Sequence, residues 1–399
     1  MVAPIDVTFL GTGSAQPSST RNHQSMAFRA DGEIWLFDAG EATQHQLQKS
    51  NLKMSRITKV FITHMHGDHC FGLPPLLCSI SENMNTNRTN DDMIEVYGPR
   101  PLRQWLRVAL RSTYSHLGRH YRVHELVMEG EQADENQDDL HPDEELGMNI
   151  HIKDNAFDLP IVFDANVQNE QKWTVRAAPI QHSIPSLGYV IQEPSQPGKL
   201  DHATILPKIK RNTQALLEKG YKNPMAILGE LQRTEAQVVL PDGDVLESPK
   251  RRPGRQIVIL GDTCDASSML QLCHQPHLLI HEATNALTQL DRNNNNNNGD
   301  SDSITKEEEE MVMLKEVEER AISHGHSTPQ MAAGLAQKMG AQKLILTHFS
   351  ARYKGDDDTN DESKAIMEEI RLHALSVLGQ ERDKDVFCAR DLWTYDIKY

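Results

Sequence analysis

The chain has 399 residues, 25% of them charged, with a formal net charge of −16. That length holds one large domain with insertions or two domains. No run of 18 apolar residues occurs, which excludes a membrane-spanning helix, and five cysteines without a CxxC pair suit a reduced intracellular protein rather than a disulfide framework. The negative balance is uneven. Between Glu125 and Glu145 stand ten Asp/Glu and no Lys/Arg, and between Asp300 and Glu319 nine Asp/Glu against two Lys/Arg. These two segments carry the whole excess, so the global charge says little about the substrate.

Ile5 to Leu10 enters a strand pattern at once, from which no signal or transit peptide is expected. It breaks at Gly11-Thr12-Gly13. Glu33 to Phe37 reads as a second strand ending in Asp38-Ala39-Gly40-Glu41, with a helix expected from Ala42 to about Ser50. Lys59 to Thr63 is a third strand pattern, opening into His64-Met65-His66-Gly67-Asp68-His69. Leu102 to Ser112 has a helical pattern. Residues 125–155 and 285–318, the second containing the run Asn293 to Asn298, are acidic or Asn-rich and read as disordered loops. Residues 194–253 are rich in proline and glycine, interrupt the sheet pattern between Tyr189-Val190-Ile191 and Ile257, and read as an inserted arm. From Lys199 to Lys222 the arm carries Lys199, Lys208, Lys210, Arg211, Lys219 and Lys222 against Asp201 and Glu218. Such a basic patch suits a phosphate backbone, and it suits a solvated helical face equally. Ile257 to Leu260 ends at Gly261-Asp262, Leu278 to Ile280 at His281-Glu282, and Leu344 to Thr347 at His348. Thr328 is a fitting N-cap and Pro329 a fitting first residue for a helix to about Met339, and residues 363–378 form a further helix.

Apolar runs that each end in a metal-binding or acidic residue predict an α/β sandwich with one active edge. In extended chain, residues i and i+2 point the same way, so His64 and His66 can grip one ion together. Gly67 then turns the chain, and Asp68 and His69 face elsewhere, which points to two adjacent metals. Two ions about 3.5–4 Å apart can orient an attacking hydroxide and stabilise displacement at phosphorus. His64, His66 and His182 can hold the first ion, and Asp68, His69 and His348 the second. Asp262, alone after a buried run, is the best bridge. Mixed His and carboxylate ligation without thiolate fits zinc, with manganese or iron as alternatives. Cys264 reads as a small buried thiol rather than a ligand. Asp68 can also accept the proton of the attacking water. His326, just before a helix start that welcomes phosphate, can act as general acid, with Glu282 orienting it. His281 and His324 read as support.

Together these residues resemble the metallo-β-lactamase superfamily, and within it ribonuclease Z, the tRNA 3′-end processing endoribonuclease. The resemblance is carried by Phe9 to Pro17 (FLGTGSAQP) with Arg21-Asn22, by Phe37 to Gln44 (FDAGEATQ) and by His64 to Leu73 (HMHGDHCFGL). It continues through Tyr97-Gly98-Pro99, Ala178 to Ser183 (APIQHS), Gly188-Tyr189, Gly261-Asp262-Thr263 and His281 to Thr284 (HEAT), then His326-Ser327-Thr328 and Thr347 to Tyr353 (THFSARY). It implies an αββα sandwich and a homodimer with two Zn2+ per subunit. It also implies precursor tRNA as substrate, Asp68 as base, and His326 with Glu282 as the second catalytic pair. The family's flexible tRNA-binding arm would be residues 194–253, with Arg21, Lys199, Lys208, Lys210 and Arg211 as RNA contacts. The family's Pro-x-Lys-x-Arg-Asn loop is associated with discrimination against a mature CCA terminus. Here Ser19 stands where its Lys is usual.

The expected activity is thus a zinc phosphodiesterase that cuts precursor tRNA and leaves a 3′ hydroxyl, in the family's short, single-domain form. The competing expectation is a small-molecule hydrolase on the same fold, acting on a phosphodiester, aryl sulfate or thioester; the metal loop alone fits both. A cytoplasmic location is expected. Lys250 to Arg255 (KRRPGR) reads as a nuclear signal or as part of the arm.

Overall fold

The computed structural model describes residues 5–82, 93–133, 139–161, 172–196, 198–234, 237–295 and 305–398. The chain divides into a larger unit (residues 1–159, 175–191 and 256–399) and a smaller one (160–174 and 192–255).

The larger unit is built on two sheets. In the first, the strands run Thr394–Asp396, Asp6–Gly11, Ser25–Ala30, Glu33–Phe37, Ile57–Phe61, Ile94–Pro99, Tyr121–Val127 and Glu144–Glu145, with Asn149–His151 also pairing with Tyr121–Val127. In the second, the order is Phe157–Leu159, Thr174–Ile180, Ser186–Gln192, Gln256–Leu260, Leu278–Glu282, Leu344–Thr347 and Val386–Cys388. The last four of these are parallel. Their buried apolar runs fit strands covered on both faces.

Alternation along each strand sorts side chains into layers. In the first sheet Leu36, Val60, Ile62 and Val96 pack with Leu47, Leu73, Leu76, Leu77, Leu102 and Leu106, which come from the helices Thr43–Lys49, Leu73–Glu82 and Leu102–Ser112. In the second, Val258, Leu260, Leu279, Leu344 and Leu346 pack with the helices Pro329–Met339 and Asp361–Leu378. The other faces meet between the sheets. There Tyr189 sets its edge against Phe37 and Phe61, at ring-centroid distances of 5.6 and 5.5 Å. Helices outside and sheets inside make the predicted αββα sandwich.

The helix Pro329–Met339 follows its sequence signals, with Thr328 as N-cap and Gly340 in the left-handed region (φ 69°) as C-cap. Two expectations need correction. The described part of residues 125–155 contains strands and buried side chains, among them Leu126, Val127, His141 and Glu144. Glu144 takes a bidentate bond from Arg107 (2.8 Å to each oxygen), and Glu125 accepts from the Arg103 backbone amide at 2.9 Å. The cations that balance this acidic stretch lie some twenty to forty residues upstream on one helix. Residues 285–318 likewise hold the helix Gln289–Asn295 and most of Lys306–Ser323, which opens on a Thr305/Glu308 capping box. Asn296, Asn297 and Asn298 lie outside the described residues. Among those described, no helix is long and apolar enough to cross a membrane, and all five cysteines are free thiols.

The smaller unit has its own core: Leu200, Ile205, Ile209, Leu216, Ile227, Leu231, Leu240 and Leu246. All but Leu200 come from the helices His202–Arg211, Thr213–Glu218 and Ala226–Thr234 and a short hairpin, Val238–Val239 with Val245–Leu246. Asp201 caps the first helix through its side chain.

Candidate metal centre

The carboxyl ends of the central strands deliver the predicted residues to one place. Phe37 ends its strand at Asp38, whose φ of 60° turns the carboxylate back toward the next strand end. There Asp38 accepts from the Thr63 amide (2.7 Å), the Thr63 hydroxyl (2.9 Å) and His69 Nδ1 (2.8 Å). Because the Thr63 hydroxyl donates to Asp38, it accepts from His64 Nδ1 at 3.0 Å. His182 Nδ1 donates to the Gly325 carbonyl at 2.7 Å. The Thr284 hydroxyl donates to Glu282 at 2.5 Å and accepts from His348 Nδ1 at 3.0 Å.

With the proton on Nδ1, as these bonds suit, His64, His69, His182 and His348 each present an Nε2 lone pair. The Nε2 atoms of His69 and His348 face each other, and those of His64 and His182 face His66 Nδ1. His64 Nε2 and His182 Nε2 lie 3.1 and 3.2 Å from His66 Nδ1, and His69 Nε2 lies 3.1 Å from His348 Nε2. Unprotonated nitrogens at such distances repel unless a cation sits among them. The donor set therefore fits bound metal, and its imidazole and carboxylate chemistry fits zinc.

Two groups of ligand atoms result: His64 with His66 and His182, and Asp68 with His69 and His348. Asp262 lies between them. Its Oδ1 is 3.4 Å from His69 and 3.3 Å from His348, and its Oδ2 is 3.8 Å from both His64 and His326. Burial penalises its charge, but the surrounding His348, His69 and His64 hold the carboxyl well below the usual range. Asp68 Oδ2 accepts from the Ala15 amide at 2.7 Å and is 3.6 and 3.5 Å from His69 and His348. Burial works against its charge too, yet bonding and attraction to His348 and His69 keep it ionised.

His326 donates from Nδ1 to Glu282 Oε1 at 2.9 Å. Burial would lower its pKa, but the bond and charge of Glu282 raise it to about 9. Glu282 is itself held by the Thr263 and Thr284 amides. The loop before the Pro329–Met339 helix is pinned by Ser327, which donates to the Thr263 carbonyl at 2.6 Å. His66, Asp68, Asp262 and His326 open onto a cavity of about 500 Å³. His281 is buried and donates to the Glu282 carbonyl, whereas His324 caps its helix at Arg320, away from this cavity.

The expected RNA contacts divide differently. Arg21 is 1% exposed. It donates to the Tyr353 carbonyl (2.7 Å), the Thr12 hydroxyl (2.6 Å) and the Ala389 carbonyl (3.1 Å), and lies over the Phe349 ring. A guanidinium so enclosed is not an RNA contact; it braces the segment that carries His348. In the smaller unit Arg211 is held by Asp242 and Asp244, and Lys208 stands 3.7 Å from Asp244. Counterions thirty residues downstream therefore offset part of the patch, while Lys199 and Lys210 are exposed. Sequence reasoning missed the orienting roles of Asp38, Thr63 and Thr284. Only the position of Asp38 at a strand end signalled one of them.

A family model described as "Anti-Pycsar protein Apyc1" matches residues 5–167. The chain is 38% identical over 410 residues to "Zinc phosphodiesterase ELAC protein 1" of Homo sapiens, covering 98% of each chain. It is 34% identical over 379 residues to "Ribonuclease Z" of Prochlorococcus marinus strain NATL2A, covering 92% of this chain and 96% of that one. Among solved structures, human tRNase Z, short form, superimposes with a TM-score of 0.58 at 31% identity over 99% of this chain and 100% of that one. The metallo-β-lactamase fold protein YhfI of Bacillus subtilis gives 0.51 at 13% identity, over 99% and 100% of the two chains, a likeness of fold alone.

Proposed function

The chain belongs to the ribonuclease Z family, and we propose that it is the zinc-dependent endoribonuclease that removes the 3′ trailer from precursor tRNA and leaves a 3′ hydroxyl. The observation that carries this reading is the convergence of two histidine-rich ligand groups on Asp262. In it, His64, His66 and His182 would hold one zinc and Asp68, His69 and His348 the other, with Asp262 available to either group. When bound, the two ions supply an activated water and neutralise charge on the phosphate.

The chain's own groups move the protons. Asp68, ionised and held by the Ala15 amide, accepts the proton of the attacking water, whose oxygen joins phosphorus. The bond from phosphorus to the tRNA 3′ oxygen breaks. His326 protonates that oxygen. With its pKa raised to about 9, His326 carries this proton at neutral pH, as a general acid must. Glu282 keeps it charged and aimed.

The smaller unit takes the role of the tRNA-binding arm, over residues 194–253. Its separate core and its exposed Lys199 and Lys210 support that assignment, with Lys208 and Arg211 contributing less because of their acidic partners. The protein works as a homodimer. Five free thiols suit the reducing cytoplasm. A small-molecule hydrolase would use the same metals but has no need of such an arm. The deciding experiment incubates purified protein with 3′-extended precursor tRNA. Chelator-sensitive cleavage after the acceptor stem is expected, and its absence would refute the reading.

A further inference from the structure

Beside the metal groups, the cavity wall holds residues that the hydrolysis does not use. Ser14, His23, Glu41 and Phe71 line it together with the site residues. His23 is 7% exposed, and neither ring nitrogen has a hydrogen-bond partner among the described residues. The nearest charge, a Glu41 carboxylate oxygen, stands 4.0 Å from Nδ1, beyond hydrogen-bond reach. A buried imidazole with both nitrogens unsatisfied is costly unless a ligand completes it. Its place is built: a Cβ on Gly40 would come within 2.5 Å of the His23 Cβ and 2.3 Å of the Asp68 carbonyl oxygen. Only glycine lets His23 sit so close to the metal loop.

Phe71 is the counterpart on this wall. It is 61% exposed, unusual for a phenylalanine beside a polar cleft. Its ring is backed by Trp105, with centroids 6.4 Å apart and planes at 25°. Gly67 makes room for it, since a Cβ there would lie 2.2 Å from the ring. A rigid, exposed aromatic face suits a nucleobase. The Glu41 carboxylate repels phosphate, so the polar part of this wall suits neutral groups: ribose hydroxyls, or the amines and ring nitrogens of a base.

We propose that His23, Glu41 and Phe71 form a nucleoside subsite for one of the two nucleotides that flank the scissile phosphate. Phe71 stacks the base, and His23 and Glu41 bond its edge or its ribose. This rests on the endoribonuclease reading above.

The test is a double-mutant cycle between protein and RNA. Phe71→Ala, His23→Gln and the parent enzyme are each assayed on three precursor tRNAs. One is intact, one has an abasic residue on the 5′ side of the scissile bond, and one has it on the 3′ side. On intact RNA each substitution should lower kcat/KM about tenfold, chiefly through KM. On one of the abasic substrates the same substitutions should cost less than twofold. Equal losses on all three, or none on the intact RNA, would overturn the subsite. Phe71 lies at the surface, so its variant decides the matter even if His23→Gln folds poorly. Failure of the parent enzyme to cut any of the three would instead refute the endoribonuclease reading.

Discussion

Nδ1 of His326 lies 2.9 Å from Oε1 of Glu282 and 3.8 Å from Oδ2 of Asp262. This pair makes activity depend on pH in a definite direction. His326 must be protonated to serve the departing oxygen, and Glu282 raises its pKa to about 9. Cleavage should therefore persist through neutral pH and fall only above about pH 9. In Glu282→Gln the falling limb should move toward the ordinary histidine range near 6.5. A kcat profile against pH checks this; an unmoved limb would remove His326 from the acid role.

Asp68→Ala should lower kcat by roughly 10²–10⁴-fold, with precursor tRNA binding largely retained. Single-turnover cleavage and a filter-binding assay separate the two effects. Unchanged turnover would refute the base assignment.

The clustered imidazole nitrogens of the two ligand groups make bound metal an expected part of the stability of this edge. At a zinc concentration roughly a hundredfold above Kd, binding adds about 3 kcal/mol to folding. A chelator should lower the melting temperature accordingly and abolish cleavage, and zinc should restore both. Asp262→Asn should reduce zinc content below two per chain by elemental analysis. Full occupancy in that variant would show that Asp262 does not bridge.

Arg21 predicts a loss of stability rather than of affinity. Arg21→Ala leaves the Tyr353 and Ala389 carbonyls and the Thr12 hydroxyl short of a donor. A loss of about 2–4 kcal/mol in urea unfolding is expected. Weakened tRNA binding with unchanged stability would return Arg21 to the RNA surface.

Asp391, close to that guanidinium, accepts from the Asn22 amide (2.7 Å) and the Thr12 hydroxyl (2.8 Å). Burial pushes its pKa up to about 6 from an ordinary 3.8. The folded state thus binds this proton more tightly than the unfolded chain. Relative to the protonated form, the group's contribution is lost as pH rises from about 4 through about 6. Between these values the parent should lose on the order of 2 kcal/mol against Asp391→Asn. A stability difference that stays flat with pH would contradict the shift.

Much of the centre was legible because its ligands sit where apolar runs stop. Buried parallel strands write themselves as continuous Val, Ile and Leu, and His64, Asp262, Glu282 and His348 follow such runs directly or within three residues. What sequence could not give were the partners of charges. Glu144 looked like part of a solvated acidic loop because Arg107, which neutralises it, lies on a helix 37 residues away. Arg21 looked available because its enclosure comes largely from Tyr353 and Ala389, 332 and 368 residues away in the chain. The acidic run Glu307 to Glu310 suggested a solvated loop and obscured the helix that Thr305 caps. His23 left no pattern at all, since its meaning comes from the cavity it lines.

The turn at Asp38 has one further consequence. Its carboxylate orients His69 directly and His64 through the Thr63 hydroxyl, and these two histidines belong to different ligand groups. One anion therefore sets the aim of a ligand in each half of the centre. Filling either half steadies that anion for the other, so the ions should load cooperatively, and a single change at Asp38 should disable both.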